Sequence, residues 1–411
     1  MKYPMKIAVF HNLPSGGAKR ALHGFVDYLN KEGHIVDVLV PSTANEEFLP
    51  LKDVANSLKI FPVEKTIKGT IYSTIKYLPP QLKSISLWDL ERTEEKIAKI
   101  INSGDYDVVF SEQDQYTMSP FFLKYVIKPL IYYCPQPPRN EAILEAVSQR
   151  KKQQNPVKRM VYDYSDNVDL KIDKQNISHA NYILTNSYFT RESILRVYGV
   201  NSFVSYLGIE TKLFRPLEVS EEDFVLSVGS CRASKGYDFM IRSLALIEPN
   251  IRPKLVIVSN YSEPEWKAYL EQLASNLKVE IEILELINDD ELVLLYNKAK
   301  LVLYAPYMEP FGLVPLEAMS CGTPVVAVKE GGVRETVIHG KTGLHTERDE
   351  TSFAEATREL LLKKYKRYTM SKNAIKIIQE FWTLEQAGER LLWHLNHVID
   401  SEIKSMNQLS L

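Results

Sequence analysis

Short runs of β-branched and aromatic residues alternate with stretches of helical spacing, and they do so in two separate series. The first series is KIAVF (6 to 10), a helix from about Ala18 to Lys31, HIVDVLV (34 to 40), YDVVFS (106 to 111), PLIYY (129 to 133) and NYILTN (181 to 186). The second is FVLSVG (224 to 229), KLVIVS (254 to 259), VEIEIL (279 to 284), KLVLYA (300 to 305) and PVVAV (324 to 328). Most of these runs are apolar throughout, as strands of a parallel sheet covered by helices on both faces must be. Between the series, YLGIETKLFRP (206 to 216) has no clear period and ends in a proline. The pattern predicts an α/β chain of two Rossmann-like, doubly wound domains, 1–205 and 217–381, joined by a 206–216 linker and facing a cleft. The stretch from 382 to 411 reads as an amphipathic helix.

Composition narrows the chemistry. The 411 residues are 45% hydrophobic and 25% charged, the make-up of a folded globular protein of more than one domain. A net charge of −2 excludes the basic excess expected of a nucleic-acid binder. Cys134, Cys231 and Cys321 have no close spacing, which fits a reducing compartment without a zinc or disulfide framework. His394 and His397 lie on a predicted helix with no acidic or Cys partners and read as surface residues. MKYPMKIAVF enters a strand within a few residues, leaving no room for a signal peptide, and no apolar run approaches the roughly 18 residues of a spanning helix. The expected location is cytoplasmic.

The densest local signal is EPFGLVPLEAMSCGTPVVAVKEGGVRETV (309 to 337), with Glu309 and Glu317 eight positions apart around Gly312. Glu309 follows a buried strand. LVPLEAMSC (313 to 321) has helical spacing with Pro315 tolerated in its first turn, Gly322 ends it, and Glu317 falls about a turn inside. In open α/β sheets ligands bind beyond the carboxyl ends of the strands, where a helix N-terminus offers free N–H groups to an anion. The unit reads as half of a site for a phosphate-bearing ligand, although either glutamate alone is as readily a solvated surface charge.

Three further features extend that reading. HNLPSGGAKRAL (11 to 22) sets Gly16 and Gly17 between the first strand and its helix, where glycine permits close backbone approach; such pairs are also common in ordinary turns. VGSCRASKGYDFMI (228 to 241) places Arg232 and Lys235 where they can bracket a pyrophosphate with charge-assisted hydrogen bonds, or serve as a solvated loop pair. GGVRET (331 to 336) is most simply a structural turn. No G-x-G-x-x-G follows a first strand, which sets a nicotinamide dehydrogenase aside.

Together these residues resemble the family 4 retaining glycosyltransferases of the GT-B fold. EPFGLVPLEAMSCGTPVVA is similar to that family's glutamate-x7-glutamate signature, SVGSCRASKG to its Arg and Lys loop, and HNLPSGGAKRAL to its N-terminal glycine loop. YLGIETKLFRP resembles its interdomain segment, departing at Leu207 and Glu210. The resemblance implies a nucleotide diphosphate sugar as co-substrate, no resident cofactor or metal, and a C-terminal helix that crosses back to the N-terminal domain. It implies that Glu317 bonds the ribose hydroxyls and that Glu309 faces the donor sugar as the catalytic carboxylate. Arg232 and Lys235 would hold the diphosphate, with the amides of Gly312, Leu313 and Val314 and the Gly16–Gly17 loop. The only Asp-x-Asp, Asp105 to Asp107, precedes its strand, the wrong end for a metal-dependent GT-A site. YYCPQPPRNEA (132 to 142) departs from a family variant that carries a histidine after Tyr-Cys: Pro135 stands there, with Gln136 and Arg139 as candidate sugar or acceptor contacts. That departure keeps a second expectation open, a catalytically weak nucleotide-sugar-binding protein that partners an active transferase.

The resemblance implies a glycan or lipid-linked acceptor. Residues 65 to 88, KTIKGTIYSTIKYLPPQLKSISLW, hold four lysines and no acid, with Ile67, Ile71, Ile75 and Leu78 at helical spacing and Tyr72, Tyr77 and Trp88 alongside. Such a stripe either packs inward or rests peripherally on the anionic inner face of a membrane.

Overall fold

The computed structural model of the chain describes residues 4–76, 85–137 and 156–409. The apolar runs become two all-parallel sheets. The first contains β1 (Lys6–Asn12), β2 (Ile35–Pro41), β3 (Ser57–Phe61), β4 (Val108–Asp114), β5 (Leu130–Tyr133), β6 (Ile183–Thr185) and β7 (Phe203–Val204), in the order β3-β2-β1-β4-β5-β6-β7. The second contains β8 (Phe224–Val228), β9 (Lys254–Ser259), β10 (Ile281–Glu285), β11 (Leu301–Tyr304), β12 (Val325–Val328) and β13 (Gly343–Thr346), in the order β10-β9-β8-β11-β12-β13. Strand order therefore reverses between β1 and β4 in one sheet and between β8 and β11 in the other. β3, β7 and β13 carry little sequence signal because they are peripheral: SLKIF on the β3 edge is only partly buried, FV is two residues long, and GLHT begins with glycine.

The chain divides into two compact units: the described residues up to Leu207 with those from Leu384 onward, and Gly208–Thr383. Each is Rossmann-like, the α/β architecture of the GT-B class. Most of the stretch read as a linker packs into the second unit. Ile209 donates its N–H to Trp382 O at 2.9 Å, Phe214 is buried, and its carbonyl accepts from Ser320 Oγ at 2.5 Å.

In the first unit the C-terminal helix (Leu384–Leu409) lies against the Gly17–Lys31 helix. The approach depends on a mid-helix glycine on each side: a Cβ at Gly24 would strike Leu384, and one at Gly388 would strike the Tyr28 ring. His394 is not the surface residue its sequence context implied. It is buried, its Nδ1 lies 2.8 Å from Tyr182 Oη, and burial lowers its pKa to about 4.

The Ile67–Lys76 helix inverts the usual arrangement. Its inward face is small and polar: Gly69 abuts Asp89, Thr66 Oγ1 donates to Asp89 Oδ1 at 2.9 Å, and Ser73 Oγ lies 3.0 Å from Ser86 Oγ. Ile67 and Ile71 point outward, 84% and 54% exposed. The side chains of residues 74 to 84, Ile75 and Leu78 of the predicted stripe among them, lie outside the described part of the structure.

Candidate donor site in the second unit

The ends of β8 and β11, where strand order reverses, supply the two loops of the site, as expected for an open parallel sheet. From β8 the chain passes Arg232 and a 3-10 turn (Ala233–Lys235) before the Tyr237–Ala245 helix. Gly236 makes the corner with φ +68°, and any Cβ there would run into Ala305 O, so only glycine fits. From β11 the chain passes Glu309 and turns at Gly312, φ +105°, into the Leu313–Ser320 helix.

This geometry brings Lys235 and Glu309 together: Nζ donates to Oε2 at 2.9 Å, with both side chains about a fifth exposed. Arg232 takes other company. Half exposed, it stacks 4.5 Å over the Tyr261 ring, with Nε 3.6 Å from Glu263 Oε1. The two cations leave one turn but do not share a partner.

Glu317 sits one turn into the Leu313–Ser320 helix and is buried. Its Oε2 accepts from the hydroxyl of Tyr296, itself fully buried on the Asp289–Lys298 helix, at 2.7 Å. Burial, followed by the Glu317 charge, holds the Tyr296 hydroxyl well above its ordinary pKa, so it remains a donor. The glutamate is thus oriented from beneath. No side chain caps the helix, and Pro315 brings no N–H, so the end at Gly312, Leu313 and Val314 is uncapped.

Two supports of the Glu309 loop escaped sequence reasoning. The turn at GGVRET is structural, as its sequence suggested, but it is structural for the site. Gly332 N donates to Glu309 O at 2.8 Å, and a Cβ on Gly331 or Gly332 would collide with the backbone of Glu309 or Pro310. Arg348 is the other. It holds Glu330 through two bonds of 2.7 Å, donates to Ala305 O at 2.9 Å and Pro306 O at 3.0 Å, and lies 3.8 Å over the Tyr307 ring. Nothing in TERDE (346 to 350) singles it out; only the fold shows what it holds.

The remaining described candidates, Gly16, Gly17 and Gln136, belong to the first unit. Gly16 caps the Gly17–Lys31 helix with φ +136°, and a Cβ there would meet nothing within 4 Å, so one side of the turn is open. Gln136 accepts through its carbonyl from Gln113 Nε2 at 2.5 Å; the buried Pro135 accepts from Asn186 Nδ2 at 3.0 Å. Arg139 lies outside the described residues.

Beside Gly16, at the β1–β4 reversal, is a polar cluster that the sequence did not reveal because its members are distant in the chain. His11 Nδ1 accepts from Leu13 N at 3.2 Å, which puts the ring proton on Nε2, 2.8 Å from Glu46 Oε1. Lys19 also pairs with Glu46. Burial lowers the His11 pKa to about 4; for Glu46 burial acts upward, but bonds from His11, Lys19 and Leu51 N hold it near 2. Asn12 Nδ2 donates to Asp114 Oδ2 at 2.5 Å, and Thr43 Oγ1 to Asn12 Oδ1 at 2.9 Å. Pro14, Ser15, Thr43, Asn45, Glu46 and Gln115 line a pocket of about 310 Å³ there.

Residues 209–377 match the family model described as glycosyl transferases group 1. An uncharacterized glycosyltransferase of Methanocaldococcus jannaschii is 36% identical over 126 residues, 30% of this chain and 32% of that relative's length. The alpha-1,3/1,6-mannosyltransferase ALG2 of Rhizomucor pusillus is 24% identical across 94% of this chain and 90% of its own. The structure of Anabaena HepE in complex with UDP-glucose superposes with a TM-score of 0.69 at 19% identity, covering 96% of this chain and all of that one, a likeness of fold.

Proposed function

We propose, on the match of residues 209–377 to the group 1 glycosyl transferases, that the chain is a retaining, hexosyltransferase-type enzyme of family 4. It moves a sugar from a nucleotide diphosphate sugar to a carbohydrate or lipid-linked acceptor. The observation that carries this reading is the meeting of Lys235, Glu309 and the uncapped Leu313–Ser320 helix at one strand-order reversal, with Glu317 fixed by Tyr296 a turn away.

In this reading Glu317 accepts the ribose hydroxyls. The diphosphate lies against the amides of Gly312, Leu313 and Val314, and its charge draws Lys235 from Glu309, which then faces the donor sugar. Arg232 swings from Tyr261 to the same diphosphate. As the bond from the anomeric carbon to phosphate oxygen breaks, Lys235 and the helix amides stabilise the negative charge gathering on the leaving group, without a metal or other resident cofactor. The acceptor hydroxyl attacks the same face of that carbon, and its proton passes to the leaving phosphate oxygen. The polar pocket beside Gly16, with carboxylate, amide and hydroxyl groups, suits the acceptor's sugar ring. The reading places the protein in the cytoplasm, in polysaccharide or glycolipid synthesis.

The test is binding followed by turnover. Thermal shift with UDP-glucose and other nucleotide diphosphate sugars is expected to select a donor; at a hundredfold excess over Kd, the stabilisation is about 2.7 kcal/mol. With that donor, Glu309→Gln is expected to leave nucleotide binding largely intact and slow transfer by roughly 10²–10³. Equal rates would remove Glu309 from the chemistry. Binding without transfer or hydrolysis across an acceptor panel would favour the partner-protein alternative, which the buried proline at 135 supports, and Pro135→His would then be the change to examine. No stabilisation by any nucleotide would refute both.

A further inference from the structure

We infer that the outward face of the Ile67–Lys76 helix is a docking surface for an anionic lipid bilayer. Ile67 and Ile71 are one helical turn apart and face solvent, while the positions that would ordinarily be apolar and inward are Gly69 and Ser73. This orientation is fixed: a Cβ at Gly69 would enter the Asp89 carboxylate, and Asp89 is itself held by Thr66 N–H and Oγ1. Rotating the helix to hide the isoleucines would break those bonds.

Charge identifies the occupant. Lys65 and Lys68 flank Ile67 and are exposed, and no acid occurs between residues 65 and 88. The basic character continues onto the neighbouring Leu87–Ser103 helix. Lys68 lies 5.8 Å over Tyr72, Tyr72 stacks on Trp88 at 5.4 Å, and Arg92 lies 4.8 Å over Trp88. Lys96, one turn beyond Arg92, is exposed, while the adjacent Glu95 is taken by Lys99 at 2.6 Å. Glu64, exposed next to Lys65, is the acid at its edge. Aliphatic side chains at the tip, ringed by cations and amphipathic aromatics, match the boundary between acyl chains and anionic headgroups. An anionic bilayer answers the cations and also takes up the two isoleucines, the combination that favours it over a protein partner or a second copy.

No helix among the described residues is long and apolar enough to cross a membrane, so the contact would be peripheral and reversible. It is independent of the donor site, and its test uses no sugar. The full chain is mixed with vesicles of phosphatidylcholine alone or with phosphatidylglycerol, and sedimented at low and raised salt. Recovery is expected only with the anionic vesicles and is expected to fall with salt. Each Ile→Ser change at 67 or 71 is expected to weaken partitioning roughly tenfold, and each Lys→Gln change at 65 or 68 about fivefold, with Tm and nucleotide binding unchanged. Equal recovery on neutral and anionic vesicles, or wild-type recovery of the Ile67→Ser, Ile71→Ser double variant, would overturn the inference. So would a dimer in solution that this double variant dissolves, since the face would then belong to a second copy.

Discussion

Two substitutions at Glu317 and one at Tyr296 separate the two jobs of the Glu317 carboxylate. That carboxylate is buried, with Oε2 2.7 Å from the Tyr296 hydroxyl, and in the proposed complex it also accepts from ribose. Glu317→Gln keeps the volume and one carbonyl oxygen for Tyr296, so stability is expected to change little. A charge-assisted bond contributes about 1.5–3 kcal/mol and a neutral one about 0.5–1.5, so exchanging one for the other costs the ligand roughly 1–2 kcal/mol. That corresponds to about a 5- to 30-fold loss of affinity. Glu317→Ala deletes both acceptors. It is expected to leave the Tyr296 hydroxyl buried without its acceptor, at about 1–3 kcal/mol of fold stability, and to weaken the nucleotide further. Tyr296→Phe removes the orienting donor and is expected to lower affinity while Glu317 remains. Calorimetric titration with the nucleoside diphosphate selected by the binding screen reads affinity, and chemical denaturation reads stability. If Glu317→Gln binds like wild type, the carboxylate serves only Tyr296, and the ribose assignment fails.

Gly332→Ala is expected to push the Glu309 loop outward, since its Cβ would meet Pro310 O and Phe311 Cα; a loss of about 1–3 kcal/mol is the usual scale of such overpacking. Unchanged Tm and turnover would show that the loop yields freely. Asp173 is a pH test for the first unit: burial, partly offset by bonds from Ser119 and Tyr198, raises its pKa from 3.8 to about 6. A raised carboxylate pKa means the folded state holds the proton more tightly. The associated stability is full below the unfolded pKa and is lost as pH rises through about 6, up to roughly 3 kcal/mol in all. Denaturation on either side of that pH should show a smaller change in Asp173→Asn, and parallel curves would reject the assignment.

Much of the donor site was legible because its parts lie close in sequence. Glu309, Gly312 and Glu317 fall within one strand–loop–helix unit whose glycine, proline and apolar spacing announce their own backbone geometry. The same holds for Arg232, Lys235 and Gly236. Their supports were not legible. Tyr296 is 21 residues from Glu317, and Arg348 is 43 from the Ala305 carbonyl it holds. His11 and Glu46 are 35 apart, and Asn12 and Asp114 are 102 apart. Such pairs leave no local period, because the packing of elements distant in the chain is what brings the groups together.

The sequence by itself determined the secondary-structure rhythm, the parallel sheets and the glycine turns of the candidate phosphate loops, since hydrophobic period and the dihedral demands of glycine and proline act within a few residues. The tertiary structure decided which charged groups meet. It paired Lys235 with Glu309 and set Arg232 against Tyr261 and Glu263. It also turned the apolar side of the Ile67–Lys76 helix outward, although its spacing alone fitted an inward-packing stripe equally well. The deciding contact was Gly69 against Asp89, where the absence of one side chain lets a polar face pack and leaves the isoleucines in solvent. Periodicity specifies that a helix has two faces; steric fit to its neighbour selects the buried one.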